Sequence, residues 1–503
     1  MLRKHLTLAA MTLCSVSAAQ TSSAPLPDLG APAAVPAGAP DGIETIDRDG
    51  LRAHAYWLAS DDRGGRHTAS KGQQDTAGYV AAHFQKLGLK PLGGKRKYLQ
   101  EYPLERLVLH KSTGLKFGKV QLRPNPGAGF AVLHSSEKDR VNAKGRFVNC
   151  GNGATLPSGL KGRIPVIVWQ PGVTRGGVGG DLQAVQRYAQ LSRKLKQAGV
   201  KVAVVCLMDD GASLANTLNY RGILPDHGVM GFNRPVRPSV RVPLFILNKA
   251  NSEALLAHME DGKAAGSLKL QVQSERKAKA TNVCAVLEGT SKKAQAIVIS
   301  AHHDHVGTRI DGDRFNGADD NASGTAGLLE LAEAFANAAE RPARSIVFLS
   351  VSGEELGLWG SAYYAAHPTW PKGRIAANVN IDMIGRAGRE GDRLQMQITP
   401  SHRHPKYSTL VQNAVQLGER LRVDFTSGDT YYERSDHYNF AKLGIPVVFF
   451  CDGEHPDYHQ VTDHADKLDY PAMEAITRLA YWTIWNAADA DGAIKQLGAQ
   501  RDW

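Results

Sequence analysis

The chain has 503 residues, 42% of them apolar and 22% charged, a composition near the globular average that excludes a disordered or fibrous chain. At roughly 100–200 residues per domain there is room for two or three domains. A formal net charge of +11 suits a nucleic-acid or membrane surface only if the basic residues cluster; the densest group, Lys90, Lys95, Arg96 and Lys97, is short and reads as an exposed loop, so no nucleic-acid partner is expected.

Taken in chain order, the N-terminus carries Arg3 and Lys4, an apolar stretch from Leu6 to about Val16, and the small residues Ser17, Ala18 and Ala19. This pattern predicts a cleaved secretory signal over 1–19 and a secreted or periplasmic protein. Leu13 before Cys14 does not suit a lipid anchor. No later apolar run reaches the roughly 18–20 residues of a membrane span. Residues 20–42 are rich in Pro, Ala and Gly and read as a linker.

Within 43–105 the spacing in GYVAAHFQKLGLKPLG predicts an amphipathic helix stopped by glycine. Between 106 and 275 short strands (RIPVIVW, KVAVVCLM, VPLFIL) and one helix, LQAVQRYAQLSRKLKQAG, look like a smaller, β-rich inserted module. From 276 to about 490 apolar strands alternate with helices: NVCAVLEG, AIVISA, a helix from Ser323 to about Ala339, SIVFLSV, a helix after Leu356 and NVNIDMIG. LQMQIT, a helix over 404–417, GIPVVFF and a helix from Pro471 follow, with 491–503 as a tail. The alternation predicts an α/β fold whose mostly parallel central sheet is sandwiched by helices. In such sheets ligands gather at the carboxyl ends of strands. Cys150, Cys206, Cys284 and Cys451 lie mostly inside apolar runs and read as buried free thiols.

Five polar clusters sit at or just beyond such strand ends. AIVISA runs into HHDHVG, where period two places His302 and Asp304 on one side and His303 on the other. Asp304 suits the carboxylate that orients a metal-bound imidazole. In NGADDNASGTAG, Asp320 lies in a loop that could return to His302, and one carboxylate can bridge two cations; a helix N-cap is the competing reading. SGEELG follows SIVFLSV, and adjacent glutamates at the end of a buried strand are costly unless paired or metal-bound. Glu354 is assigned as general base and Glu355 as ligand. NVNIDMIG places Asp382 inside an apolar strand, where an unpaired carboxylate is disfavoured. HPDYHQVTDHADKLD offers His455, Tyr458, His459 and His464, of which one need be a ligand.

The set AHHDHVG, NGADDNASG, SGEELG, NIDMIG, SDH and DYHQVTDHADKLD, in this order over roughly 281–490, resembles the clan MH zinc aminopeptidases, which include glutamate carboxypeptidase-like enzymes. The segment before residue 106 resembles the start of that catalytic domain, and 106–275 resembles, more loosely, the protease-associated domain many relatives insert there. The resemblance implies a first zinc on His302, Asp320 and Asp382 and a second on Asp320, Glu355 and His459. It further implies Glu354 as base, Asp304 as the orienting carboxylate and Tyr458 beside the developing oxyanion. Two Zn2+ ions per chain are implied, with Co2+ or Mn2+ as substitutes for such a mixed N/O set.

Structural roles are expected for His303 and His305, a pocket-wall role for Ser435, Asp436 and His437, and a solvated position for Arg434. Trp359 and Trp370 read as core or rim, His402 and His404 as caps of the helix after Pro400, and His455 and His464 as loop residues around the site. The expected activity is release of N-terminal residues from peptides with a free N-terminus. A carboxypeptidase or dipeptidase, a glutaminyl cyclase-like acyltransferase and a binding protein on an inactive scaffold are the alternatives.

Overall fold

The computed structural model describes residues 28–503 apart from 96, 126, 170–177, 210–213 and 263, so the expected signal at 1–19, the first part of the linker and Arg96 lie outside the described residues. Pro32–Trp503 form one unit. Two helices open it. Asp47 caps α1 (Arg48–Leu58) by accepting from the backbone N–H groups of Asp49 and Gly50, and Ser70 caps α2 (Lys71–Lys86) by accepting from that of Gln73, each satisfying donors that the first helical turn leaves free.

The elements that position the site follow. They are β1 (Leu99–Leu109), the short helix α3 (Ala215–Arg221), the long strand β2 (Ala265–Leu287), β3 (Lys292–His302), α4 (Gly324–Asn337), β4 (Arg344–Val351) and β5 (Ile375–Ile381). Then come β6 (Arg393–Thr399), α5 (Thr409–Leu421), β7 (Val423–Ser427), β8 (Val447–Cys451) and α6 (Tyr470–Asp489). The sheet order is β1-β2-β4-β3-β5-β8-β6-β7.

The four central strands β4, β3, β5 and β8 are mutually parallel, as expected for strands that read as continuous apolar runs. The flanks differ: β1 and β2 run antiparallel on one side, and β6 meets β8 antiparallel on the other. The sheet is therefore mixed outside its centre. With helices packed on it, the class is α/β.

Segment 106–275 has a sheet of its own, in which strands 130–133, 244–247, 203–207, 164–169 and 140–149 lie side by side with parallel pairing from the second strand onward. Apolar clusters cover both faces. No loop leads out of it. The first half of β2 pairs with strands 114–117 and 140–149, the second half with β1 and β4, and the β1 ladder shifts register between Glu275 and Ala278.

Four details depart from the sequence reading. The linker is pinned where it is described: Arg478 donates to the carbonyl of Ala33 and Tyr481 to that of Asp41, because its backbone finds partners on α6. The helix expected over 404–417 begins at Thr409, since residues 401–407 close two turns, His404 N–H to Ser401 O and Tyr407 N–H to His404 O. His402 and His404 therefore cap no helix, and the His404 ring packs on Tyr432. Asp382 stands one residue beyond β5 rather than inside a strand. The four cysteines are free and buried, as their apolar surroundings imply. Among the described residues, no helix is long and apolar enough to cross a membrane.

Candidate metal centre

All four central strands deliver chemistry at the same edge. His302 is the last residue of β3, Glu354 and Glu355 follow β4, Asp382 follows β5, and the loop after β8 brings Tyr458 and His459. Asp320 arrives from the loop before α4, where the Asp320–Asn321 peptide is cis. That loop is clamped by Asp463, whose carboxylate accepts the backbone N–H groups of Asp319 and Asp320 at 3.0 and 3.2 Å. Asp463 is a positioning residue that the sequence reading left out; its only signal was membership of the run HQVTDHADKLD.

Asp320 divides its two oxygens between two imidazoles. Oδ1 lies 3.2 Å from His302 Nε2 and Oδ2 lies 3.0 Å from His459 Nε2. Around His302, Asp382 Oδ1 stands at 3.1 Å and Glu354 Oε2 farther out at 3.9 Å. Around His459, Glu355 Oε2 stands at 3.0 Å. His459 Nε2 is buried, yet it makes a hydrogen bond to neither neighbouring oxygen. A buried nitrogen that converges on two carboxylate oxygens without bonding either suits a shared cation, while on the other side His302 Nε2 lies within hydrogen-bond distance of Asp382 Oδ1. Four carboxylates buried this close are costly without one. The buried guanidinium of Arg66 is committed to the carbonyls of Leu58, His303, Asn316 and Gly317. The residues present thus fit a pair of divalent ions.

Around this set the expected supporting roles have concrete partners. His302 Nδ1 lies 3.2 Å from the carbonyl of Asp304, whose carboxylate accepts from Thr68 Oγ1 at 2.6 Å. Ser435 Oγ donates to Asp382 Oδ2 at 2.7 Å, placing the Ser435–His437 run beside the site. His303 points away, with its nitrogens against Gln73 Nε2 and Ser350 Oγ. His305 does not: its Nδ1 lies 2.6 Å from Glu355 Oε1 and it joins Asp320, Glu355 and His459 as a potential ligand. His455 faces Asp319 and His464 faces Asn316, outside both ligand groups. Trp359 and Trp370 sit half-buried at the edges of apolar clusters.

The sequence reading also missed Tyr220. Carried on α3 from the 106–275 segment, its hydroxyl donates to Glu355 Oε2 at 3.3 Å.

The adjacent glutamates are driven apart electrostatically. Burial, then Asp382 and Glu355, hold the Glu354 carboxyl well above its usual range, with the charge of His302 opposing. Glu355 is held down to about 2: burial opposes ionisation, but His459 and His305 outweigh both it and the repulsion of Asp320. Neighbouring carboxyls split in this way are suited to different roles, one moving protons and one staying ionised. The site opens to a cleft lined by Asp320, Glu354, Asp382, Tyr431, Arg434 and Tyr458. Arg434 is exposed, as expected, and at the rim of the cleft it pairs with Glu454 at 2.7 Å and packs on Tyr431.

Comparison with known proteins bears on this arrangement. Residues 282–484 match Peptidase family M28. A probable zinc metalloprotease of Pyricularia oryzae is 38% identical over 262 residues, 44% of this chain and 52% of that protein. Aminopeptidase YwaD of Bacillus subtilis is 24% identical over 269 residues, 52% of this chain and 55% of that protein. The chain thus spans about half the length of these curated relatives. Among solved structures, a zinc aminopeptidase from Bacillus subtilis superposes with a TM-score of 0.57 at 18% identity, covering 89% of this chain and 97% of its own. A peptidase M28 precursor from Shewanella amazonensis gives 0.54 at 17% identity, covering 91% and 98%. Both share the fold. The strand-end residues His302, Asp320, Glu354, Glu355, Asp382 and His459 all lie in the stretch 282–484 that matches peptidase family M28.

Proposed function

We propose that this chain is an exported zinc-dependent aminopeptidase that binds two ions, one on His302, Asp320 and Asp382 and one on Asp320, Glu355 and His459. The observation that carries the reading is the division of the Asp320 carboxylate, 3.2 Å from His302 and 3.0 Å from His459. The named activity of the similar aminopeptidase YwaD of Bacillus subtilis supports it.

When bound, two divalent ions supply Lewis-acid polarisation of the scissile carbonyl and lower the pKa of water. The chain's own groups do the rest. Glu354, protonated easily because burial raises its pKa, accepts the proton of the attacking water and passes it to the leaving amine. Tyr458 lines the cleft beside Asp320 and Glu354 and keeps its proton, since burial and those carboxylates raise its pKa well above the usual phenol value. It can therefore donate a hydrogen bond to the developing oxyanion.

Release from the N-terminus is favoured over release from the C-terminus by the cleft's charge. Its carboxylates attract an α-ammonium, whereas its one lining arginine, Arg434, is already paired with Glu454. Two convergent donor groups argue against a single-zinc cyclase. We further assign 106–275 as a protease-associated-like module and 1–19 as the export signal. Hydrolysis of aminoacyl-p-nitroanilides, lost in chelator and restored by Zn2+, is the expected result; inertness toward them together with cleavage of N-blocked peptides from the C-terminus overturns the aminopeptidase reading.

A further inference from the structure

The geometry points to His305 as a third imidazole of the metal centre, a fourth protein ligand to the ion held by Asp320, Glu355 and His459. This inference rests on the two-ion reading above and goes beyond its five ligands.

His305 is fully buried, three residues past the end of β3, and its ring is aimed rather than free. Its backbone N–H donates to the carbonyl of Arg66 at 3.2 Å. Gly317 supplies the space for the imidazole: a Cβ on Gly317 would lie 2.4 Å from His305 Cδ2. Any side chain there would therefore displace the ring. Held in this way, Nδ1 lies 2.6 Å from Glu355 Oε1 and 3.8 Å from Asp320 Oδ2, while the His305 and His459 rings meet edge to face with centroids 5.6 Å apart. Tetrahedral zinc with bonds of about 2.0–2.1 Å separates its donor atoms by about 3.3 Å. The separations from the shared oxygen, Asp320 Oδ2, are 3.0 Å to His459 and 3.8 Å to His305 and straddle that value. Glu355 faces His459 with Oε2 at 3.0 Å and His305 with Oε1 at 2.6 Å, a hydrogen-bond distance that an ion held between them would open.

The consequence is an asymmetric pair. Four protein donors fill a tetrahedral shell, as in sites that hold zinc tightly, whereas His302, Asp320 and Asp382 supply three and leave a position for water or substrate. One ion should be retained and the other exchangeable.

The competing role is positioning, in which His305 N–H only orients Glu355. Loss of an orienting hydrogen bond lowers metal affinity roughly 10–100-fold. Two variants separate the roles: His305→Ala removes ligand and hydrogen bond together, and His305→Asn keeps an amide N–H donor but supplies no imidazole. Each is loaded with Co2+ and followed by chelator competition and visible absorption, with circular dichroism reporting the fold. We expect the parent to bind two equivalents in two resolved steps. Both variants should lose the tighter step by at least about 10³-fold, beyond the range of an orienting bond, with a changed Co2+ band. If His305→Asn keeps the parent's tight step and band, His305 is not a ligand and only this inference falls. A parent that binds no Co2+ overturns this inference and the two-ion reading together.

Discussion

His302 and Asp304, two residues apart at the end of β3, are joined by the 3.2 Å approach of His302 Nδ1 to the Asp304 carbonyl, with the Asp304 carboxylate 3.7 Å from the same nitrogen. In the tautomer that donates Nδ1–H to this carbonyl, the Nε2 lone pair faces Asp320 and Asp382. The Asp304 carboxylate in turn accepts from Thr68 Oγ1 and from the backbone N–H of Glu354, at 2.6 and 3.3 Å. It therefore ties the imidazole to the proposed base. Asp304→Asn should lower metal affinity roughly 10–100-fold while the fold survives, measured by chelator competition. Unchanged affinity would remove Asp304 from the site's support.

Glu354 stands farther from His302 than Asp320 or Asp382 does, 3.9 Å against 3.2 and 3.1 Å, which suits a base better than a ligand. Glu354→Gln should leave both ions bound and lower kcat about 10²–10⁴-fold, with KM little changed. Steady-state kinetics beside metal analysis checks it; loss of an ion would make Glu354 a ligand instead.

Arg66 joins three segments of the site through carbonyls of Leu58, His303, Asn316 and Gly317. A lysine cannot reproduce the planar fork, and each buried carbonyl left unpaired costs about 1–3 kcal/mol. With three N–H donors for four carbonyls, Arg66→Lys should therefore lose about 1–3 kcal/mol of stability, read from urea midpoints. A loss under about 1 kcal/mol would mean that water replaces the guanidinium.

Away from the metals, the Glu330 carboxyl on α4 is pushed up to about 8 by burial and by the charges of Asp47 and Glu333. Nearby His54 stays neutral, held down to about 3 by burial with His83 and Lys86. The folded pKa lies above the unfolded one, so the folded state holds a proton that the unfolded chain has released. Its stabilisation is complete below pH 4.5 and is lost as pH rises through about 8. Between these limits the parent should lose stability relative to Glu330→Gln by up to about 1.4 kcal/mol per pH unit. Parallel urea titrations from pH 5 to 9 check the sign, and parallel curves would refute it.

Most of the site was legible because its residues announce themselves locally. His302, Glu354 and Glu355 each end or follow an apolar run, and burial makes a carboxylate there costly unless it is used. What stayed hidden depends on distant chain. His303 and His305 are equivalent in HHDHVG, and only the Gly317 cradle and the Arg66 carbonyl decide which ring enters the carboxylate cluster. Tyr220 reaches Glu355 across 135 residues. The antiparallel flanks escaped for a related reason: apolar runs report burial, not strand direction. The start of α5 was misplaced because residues 401–407 spend their hydrogen bonds on turns.

The most direct test is zinc titration of chelator-stripped protein while aminoacyl-p-nitroanilide hydrolysis and bound zinc are followed together. Hydrolysis should be absent from the stripped protein and should rise to its full value as bound zinc reaches two ions per chain. Hydrolysis that persists undiminished without zinc, or that is complete with one ion bound, would contradict a two-ion centre bridged by Asp320.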